Sequence, residues 1–175
     1  MKHRSLFALI LGSLIIPFSL QAQGKIDFEQ NKTQYPAQVK YKVGLGSGLT
    51  MFMEQNRFIY VKYDPTQLEL IHDNSHQSEN NDTRKEGIVN LHSFSMDFIG
   101  ANPNALVSAT GQRSHYTNYF LGNDPQKWSS DVKSYSEVFY TGLYSGINLT
   151  AYSVNDQFKY DFIVAPNADA SQIKM

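Results

Sequence analysis

Apolar and aromatic side chains recur at every second position along most of this chain. Beyond residue 22, no window of twelve or more residues repeats them at the 3.6-residue period of a helix. Successive side chains of an extended strand leave opposite faces of the pleat, so period-two alternation marks strands with one buried face. Residues 37–43 set Val39, Tyr41 and Val43 on one side and Lys40 and Lys42 on the other. Residues 49–54 and 57–63 follow as a hairpin about Gln55-Asn56, because Asn tolerates the positive φ of a tight turn. In 88–99, Phe94, Met96 and Phe98 face away from Ser93, Ser95 and Asp97. A short apolar stretch at 105–109 leads into a polar connection, and 135–140, 147–153 and 158–164 read as three more strands. Seven or eight short strands at this spacing predict an all-β fold, an antiparallel β-sandwich.

The N-terminus follows a different rule. Lys2, His3 and Arg4 precede an apolar run from Leu6 to Leu20, Pro17 breaks helix near its end, and Ala22 offers a small residue for cleavage. This is the layout of a secretory signal peptide. The run is short for a membrane anchor, which needs ~20 apolar residues. Residues 1–22 are therefore expected to be removed after Ala22, leaving 23–175 as a β-sandwich domain with no membrane span, exported through the periplasm to the cell surface or medium. The sequence stops at Ile173-Lys174-Met175, just after what reads as the approach to another strand, and is expected to be the N-terminal piece of a longer modular protein.

Composition narrows the chemistry. Among 175 residues there is no cysteine, which excludes a disulfide scaffold, a thiol nucleophile and any Cys-ligated metal. Eleven Tyr, eleven Phe and one Trp must supply the core by packing alone. The formal net charge is −1 without a basic block, so nucleic acid is not an expected partner, phosphate neutralisation needing clustered Lys or Arg.

Candidate sites are few. Gly44-Leu45-Gly46-Ser47-Gly48 has the glycines of a phosphate loop, but the residues after it look like a strand where that loop requires a helix, so an inter-strand turn is expected. His72 and His76 stand four apart, the spacing of two metal ligands on one helical face, with Asp73, Glu79 and Asp82 nearby. They lie in 72–86, fifteen residues without an apolar side chain, and a solvated loop is the preferred reading. His92 falls on a strand and His115 in a polar connection; no Gly-x-Ser-x-Gly elbow completes a Ser–His–Asp set. Glu54, Asp97, Glu137 and Asp161 offer no preferred pair for glycoside hydrolysis. Tyr160 and Phe162, two apart on a strand, read as packing before ligand binding. Asn31-Lys32-Thr33, Asn81-Asp82-Thr83 and Asn148-Leu149-Thr150 match the glycosylation pattern, which is short enough to recur by chance.

Four stretches resemble a known family. They are Asn31-Lys32-Thr33-Gln34-Tyr35-Pro36 with Val39-Lys40-Tyr41; Asn118-Tyr119-Phe120-Leu121-Gly122-Asn123-Asp124-Pro125 with Trp128; Val138, Tyr140, Leu143-Tyr144, Gly146-Ile147 and Leu149; and Lys159 to Pro166 with Ala168-Asp169 and Gln172-Ile173. Together they resemble an N-terminal domain of unknown function found in large secreted Bacteroidota proteins. Ser145, Asn148, Asn167 and Ala170 depart from its usual Pro, Asp, Gly and Pro. The resemblance implies following modules such as SBBP repeats, PKD domains or a type IX secretion C-terminal sorting domain. It implies no established catalytic residues, and no cofactor is expected. Read from the residues themselves, the Gly122-to-Pro125 turn sets Trp128 to cap an edge of the core.

The expected function is that of an exported, non-catalytic β-domain in a structural or adhesion-like role, with surface glycans or other extracellular modules as partners. The alternative is a carbohydrate-binding or carbohydrate-processing β-domain, suggested by the Tyr-rich second half and the long polar loop.

Overall fold

The computed structural model describes residues 26–69, 88–120 and 122–175. These form nine strands: β1 (Phe28–Gln30), β2 (Tyr41–Gly46), β3 (Leu49–Met53), β4 (Arg57–Tyr63), β5 (Leu91–Asp97), β6 (Leu106–Tyr119), β7 (Ser129–Tyr144), β8 (Ile147–Val154) and β9 (Gln157–Val164). All neighbours are antiparallel, in the order β5-β4-β3-β2-β1-β7-β8-β9, with β6 also on β7. The helical content of the described residues is a short turn at 65–69 and two 3-10 turns, Pro125–Lys127 and Ala170–Gln172.

The chain is all-β and antiparallel, but its strands do not divide into the two sheets of the expected sandwich. They make one hydrogen-bonded sheet curled into a half-barrel. The cause is the sixteen-residue β7. Its first half pairs with β1 (Phe28↔Tyr135), its second half with β8 (Tyr140↔Leu149), and β6 runs along it from Thr141 to Ser129. One long strand thus stitches both halves of the chain into a single ladder.

Curling brings the two ends of that sheet face to face. Fully buried Phe28, Val43, Met51, Met53 and Phe58 from β1–β4 meet Val138, Tyr140, Leu149 and Ala151 from β7 and β8. The Phe58 ring stands 5.0 Å from Phe98, 6.0 Å from Tyr140, 6.1 Å from Phe158 and 6.0 Å from Tyr160, centroid to centroid. Tyr160 and Phe162 therefore do pack inward, as their spacing suggests. The hydroxyl buried at the core's centre is satisfied: Tyr140 Oη donates to Glu54 O at 2.8 Å, and burial pushes its phenol well above the ordinary value.

Local alternation locates strands well where one face is buried. β4 spans the expected residues, and β3 and β4 join at Gln55-Asn56. The polar connection after 109 is instead the middle of the fourteen-residue β6. Two register shifts, between Gln112 and Tyr116 and between Thr117 and Tyr119, break its alternation and hide it.

Candidate functional site

The convex face of β1, β2 and β3 carries a polar cluster. Phe28 and Val43 point inward, so Glu29, Lys42 and Phe52 project outward. A loop at 31–40 folds over them, tied down by one side chain. Asn31 Nδ2 donates to the carbonyls of Tyr35, Pro36 and Val39 at 3.1, 3.0 and 2.9 Å, and its Oδ1 accepts from Tyr35 N–H at 3.1 Å. Tyr35 is thereby laid edge-on over Phe52, centroids 5.3 Å apart, and Tyr119 reaches in from β6. Tyr119 Oη donates to Glu29 Oε1 at 2.5 Å and accepts from Tyr35 Oη at 3.2 Å. Lys42 Nζ lies 3.4 Å from that oxygen and 3.8 Å from Glu29 Oε1. Burial, then the hydrogen bond to Glu29, pushes the Tyr119 phenol up from its ordinary value. It stays a neutral donor, so the group serves to hold the loop against the sheet.

Two further ion clusters lie on the scaffold. Asp27 accepts from Arg113 Nε at 2.7 Å and stands 3.3 Å from His115 Nε2. Both partners come from the irregular middle of β6, whose broken alternation hides the contact. Arg57 lies between Glu54 and Asp97: its Nε is 2.9 Å from Glu54 Oε2, without an aligned hydrogen bond, and 3.8 Å from Asp97 Oδ1. Glu54 and Arg57 border an open polar groove of ≈ 390 Å³ with Gln38, Lys40 and Gln55.

The other expected residues are scattered. Glu137 on β7 faces Tyr152 across the ladder, and Asp161 on β9 accepts the Tyr152 hydroxyl at 2.6 Å. The four acids thus fall into two separate pairs: Glu137 and Asp161 both meet Tyr152, and Glu54 and Asp97 have the Arg57 cation between them. His92 stands on edge strand β5 beside Phe94 at 6.3 Å. His72 and His76 lie outside the described residues, as do residues 1–22, where a signal segment is expected. Of the glycine run, Gly44 to Gly46 belong to strand β2 and only Ser47-Gly48 make the turn, with Gly46, Ser47 and Gly48 at positive φ and strand β3 following. Asn31 and Asn148 both use their side chains internally, Asn148 Oδ1 accepting from Gly142 N–H at 2.7 Å across the bulge in β7.

Trp128 does not cap the core. It is 40% exposed and meets Phe120, 57% exposed, with centroids 5.5 Å apart; its Nε1–H donates to Gly122 O at 3.2 Å. Tyr116, 55% exposed, lies under Lys133 Nζ at 5.2 Å, and Asn118 Oδ1 accepts from Asp131 N–H at 2.9 Å. Tyr116, Phe120 and Trp128 thus project from the β6–β7 ribbon, between amide and charged groups.

A curled antiparallel sheet whose two most conspicuous sequence stretches lock together through Tyr35 and Tyr119 defines an all-β module built around its own polar interlock. The family model described as Domain of unknown function (DUF7948) matches residues 28–175, and the chain belongs to this family. No curated protein and no solved structure matches it.

Proposed function

We propose that this chain is an exported, non-catalytic β-module with a structural or adhesion-like role at the cell surface or in the medium. The observation that carries the reading is how the residues of the familiar stretches are used. Asn31, Tyr35, Asn118, Tyr119 and Trp128 all direct polar groups to the scaffold's own backbone or to one another. That is an arrangement for rigidity, and the leader-like N-terminus accounts for a chain that must hold together without disulfides outside the cytoplasm. In this reading the module stands at the N-terminus of a large Bacteroidota surface protein, ahead of SBBP, PKD or sorting domains. Fractionation of the native host, with N-terminal sequencing of the protein, tests it. Surface or medium material beginning at Gln23 is expected; an intact N-terminus in the cytoplasm would refute it.

A second reading, a carbohydrate-binding or carbohydrate-processing domain, is favoured by the exposed Tyr116, Phe120 and Trp128, since aromatic faces stack on sugar rings. A glycan array and a hydrolase panel separate the two. Saturable binding lost in Trp128→Ala would support the carbohydrate-binding reading, and sugar-dependent turnover would defeat the non-catalytic one.

A further inference from the structure

Strand β5 ends one side of the sheet, and the backbone geometry says which of its groups lack a strand partner among the described residues. Phe98 N–H donates to Asn56 O at 2.9 Å, towards β4, and Arg57 O faces β3 by accepting from Glu54 N–H at 2.9 Å. In an antiparallel ladder these directions alternate residue by residue. His92, Phe94 and Met96 therefore bond β4, while the N–H and C=O groups of Leu91, Ser93, Ser95 and Asp97 point away from the sheet. The next outward donor, Ile99 N–H, already carries a backbone bond on that side, to Lys174 O at 2.9 Å. The edge is extended and able to pair.

Natural sheets shield such edges with charge, proline or bulges. β5 has no proline, pairs with β4 in unbroken register, and carries no Lys, Arg or Glu; its one acid, Asp97, is its last residue. The opposite edge, β9, carries Lys159 and Asp161 in its middle. Apolar side chains are left exposed along and beside β5: Ile88 at 80%, Leu91, Phe94 at 52%, and Ile99. Phe94 stacks flat on Tyr60 at 4.8 Å and is still half exposed.

We propose that β5 is a homodimerisation edge, pairing antiparallel with β5 of a second copy about a two-fold axis at Phe94. What selects a second copy is the self-complementarity of the strand. With Phe94 on the axis, each copy's Ser93 meets the other's Ser95, and Leu91 meets Asp97, at positions whose backbone groups point outward, as hydrogen-bonded pairs require. The closer, non-hydrogen-bonded positions bring Phe94 against Phe94 and His92 against Met96, an aromatic pair and a sulfur–aromatic pair. No like charges face each other. About eight backbone hydrogen bonds result, and the two half-barrels continue as one sheet. This inference is independent of the proposed export and adhesion role.

Sedimentation velocity over a concentration series tests it, on the chain expressed with its own N-terminal segment so that host processing is retained. A reversible monomer–dimer equilibrium is expected. Ser95→Pro removes an outward N–H and no bond of the existing ladder, so it should keep the circular dichroism spectrum and abolish the dimer. Because the chain has no cysteine, Phe94→Cys reads the register directly. Residues facing each other at a non-hydrogen-bonded position come within ~4.5 Å, Cα to Cα, inside the range a disulfide spans. Phe94→Cys should oxidise to a covalent dimer, and Ile163→Cys on β9 should not. A chain that stays monomeric, a dimer unaffected by Ser95→Pro, or monomers whose β5 amides resist exchange because their own chain covers them would each overturn the proposal.

Discussion

Replacing Phe58 by Ala tests the claim that a single ring holds the curled sheet closed. Phe58 is fully buried and touches Phe98, Tyr140, Phe158 and Tyr160, rings from β7, β9 and the segment after β5. Removing a buried Phe costs about 3–5 kcal/mol through lost transfer energy and the cavity left behind. The upper half of that range is expected, because the neighbours belong to different strands and cannot all collapse inward together. A chain of this size shifts Tm by ~2–4 °C per kcal/mol, so melting should fall by about 10 °C or more. Urea unfolding followed by circular dichroism is the assay, with Phe120→Ala as the comparison. That ring is more than half exposed and its loss should cost about 1 kcal/mol or less. If Phe58→Ala cost no more than Phe120→Ala, the two ends of the sheet would not be joined through this ring, and the account of the core would fail.

Tyr140→Phe leaves the Glu54 carbonyl without its 2.8 Å donor and should destabilise by about 1–3 kcal/mol in the same urea assay. Gly48→Ala should also destabilise, because φ is +74° and an added Cβ would lie 2.4 Å from the Tyr63 carbonyl oxygen, a backbone atom that cannot swing aside; a cost of about 1–3 kcal/mol is expected. Burial raises the Tyr140 phenol, so the native state keeps a proton that the unfolded chain releases near pH ~10. Stability should be undiminished by this group below that pH and decline above it, with tyrosinate absorbance from Tyr140 appearing only on unfolding. At the acid end, hydrogen bonds from Ser171 hold the Asp169 carboxyl below its ordinary range. Its NMR titration midpoint should therefore lie below that of an unstructured Asp, and should return towards it in Ser171→Ala.

The chain's alternation by itself determined that it would be all-β, where β4 runs, and that Tyr160 and Phe162 would pack inward. Each of these depends on which face of one strand meets water, a property of neighbouring residues. What only the tertiary structure decided was how those strands join. Whether β7 belongs to one sheet or lies between two rests on Phe28 meeting Tyr135 and Tyr140 meeting Leu149, and the first of these spans most of the chain. The polar interlock was hidden for the same reason. Tyr35 and Tyr119 lie 84 positions apart, and Arg113 reaches Asp27 from a strand whose bulges erase its pattern. Burial leaves its mark on local sequence because each strand position meets either core or solvent. Pairing between distant strands leaves none, since backbone hydrogen bonds are the same for every residue and only the assembled sheet selects their partners.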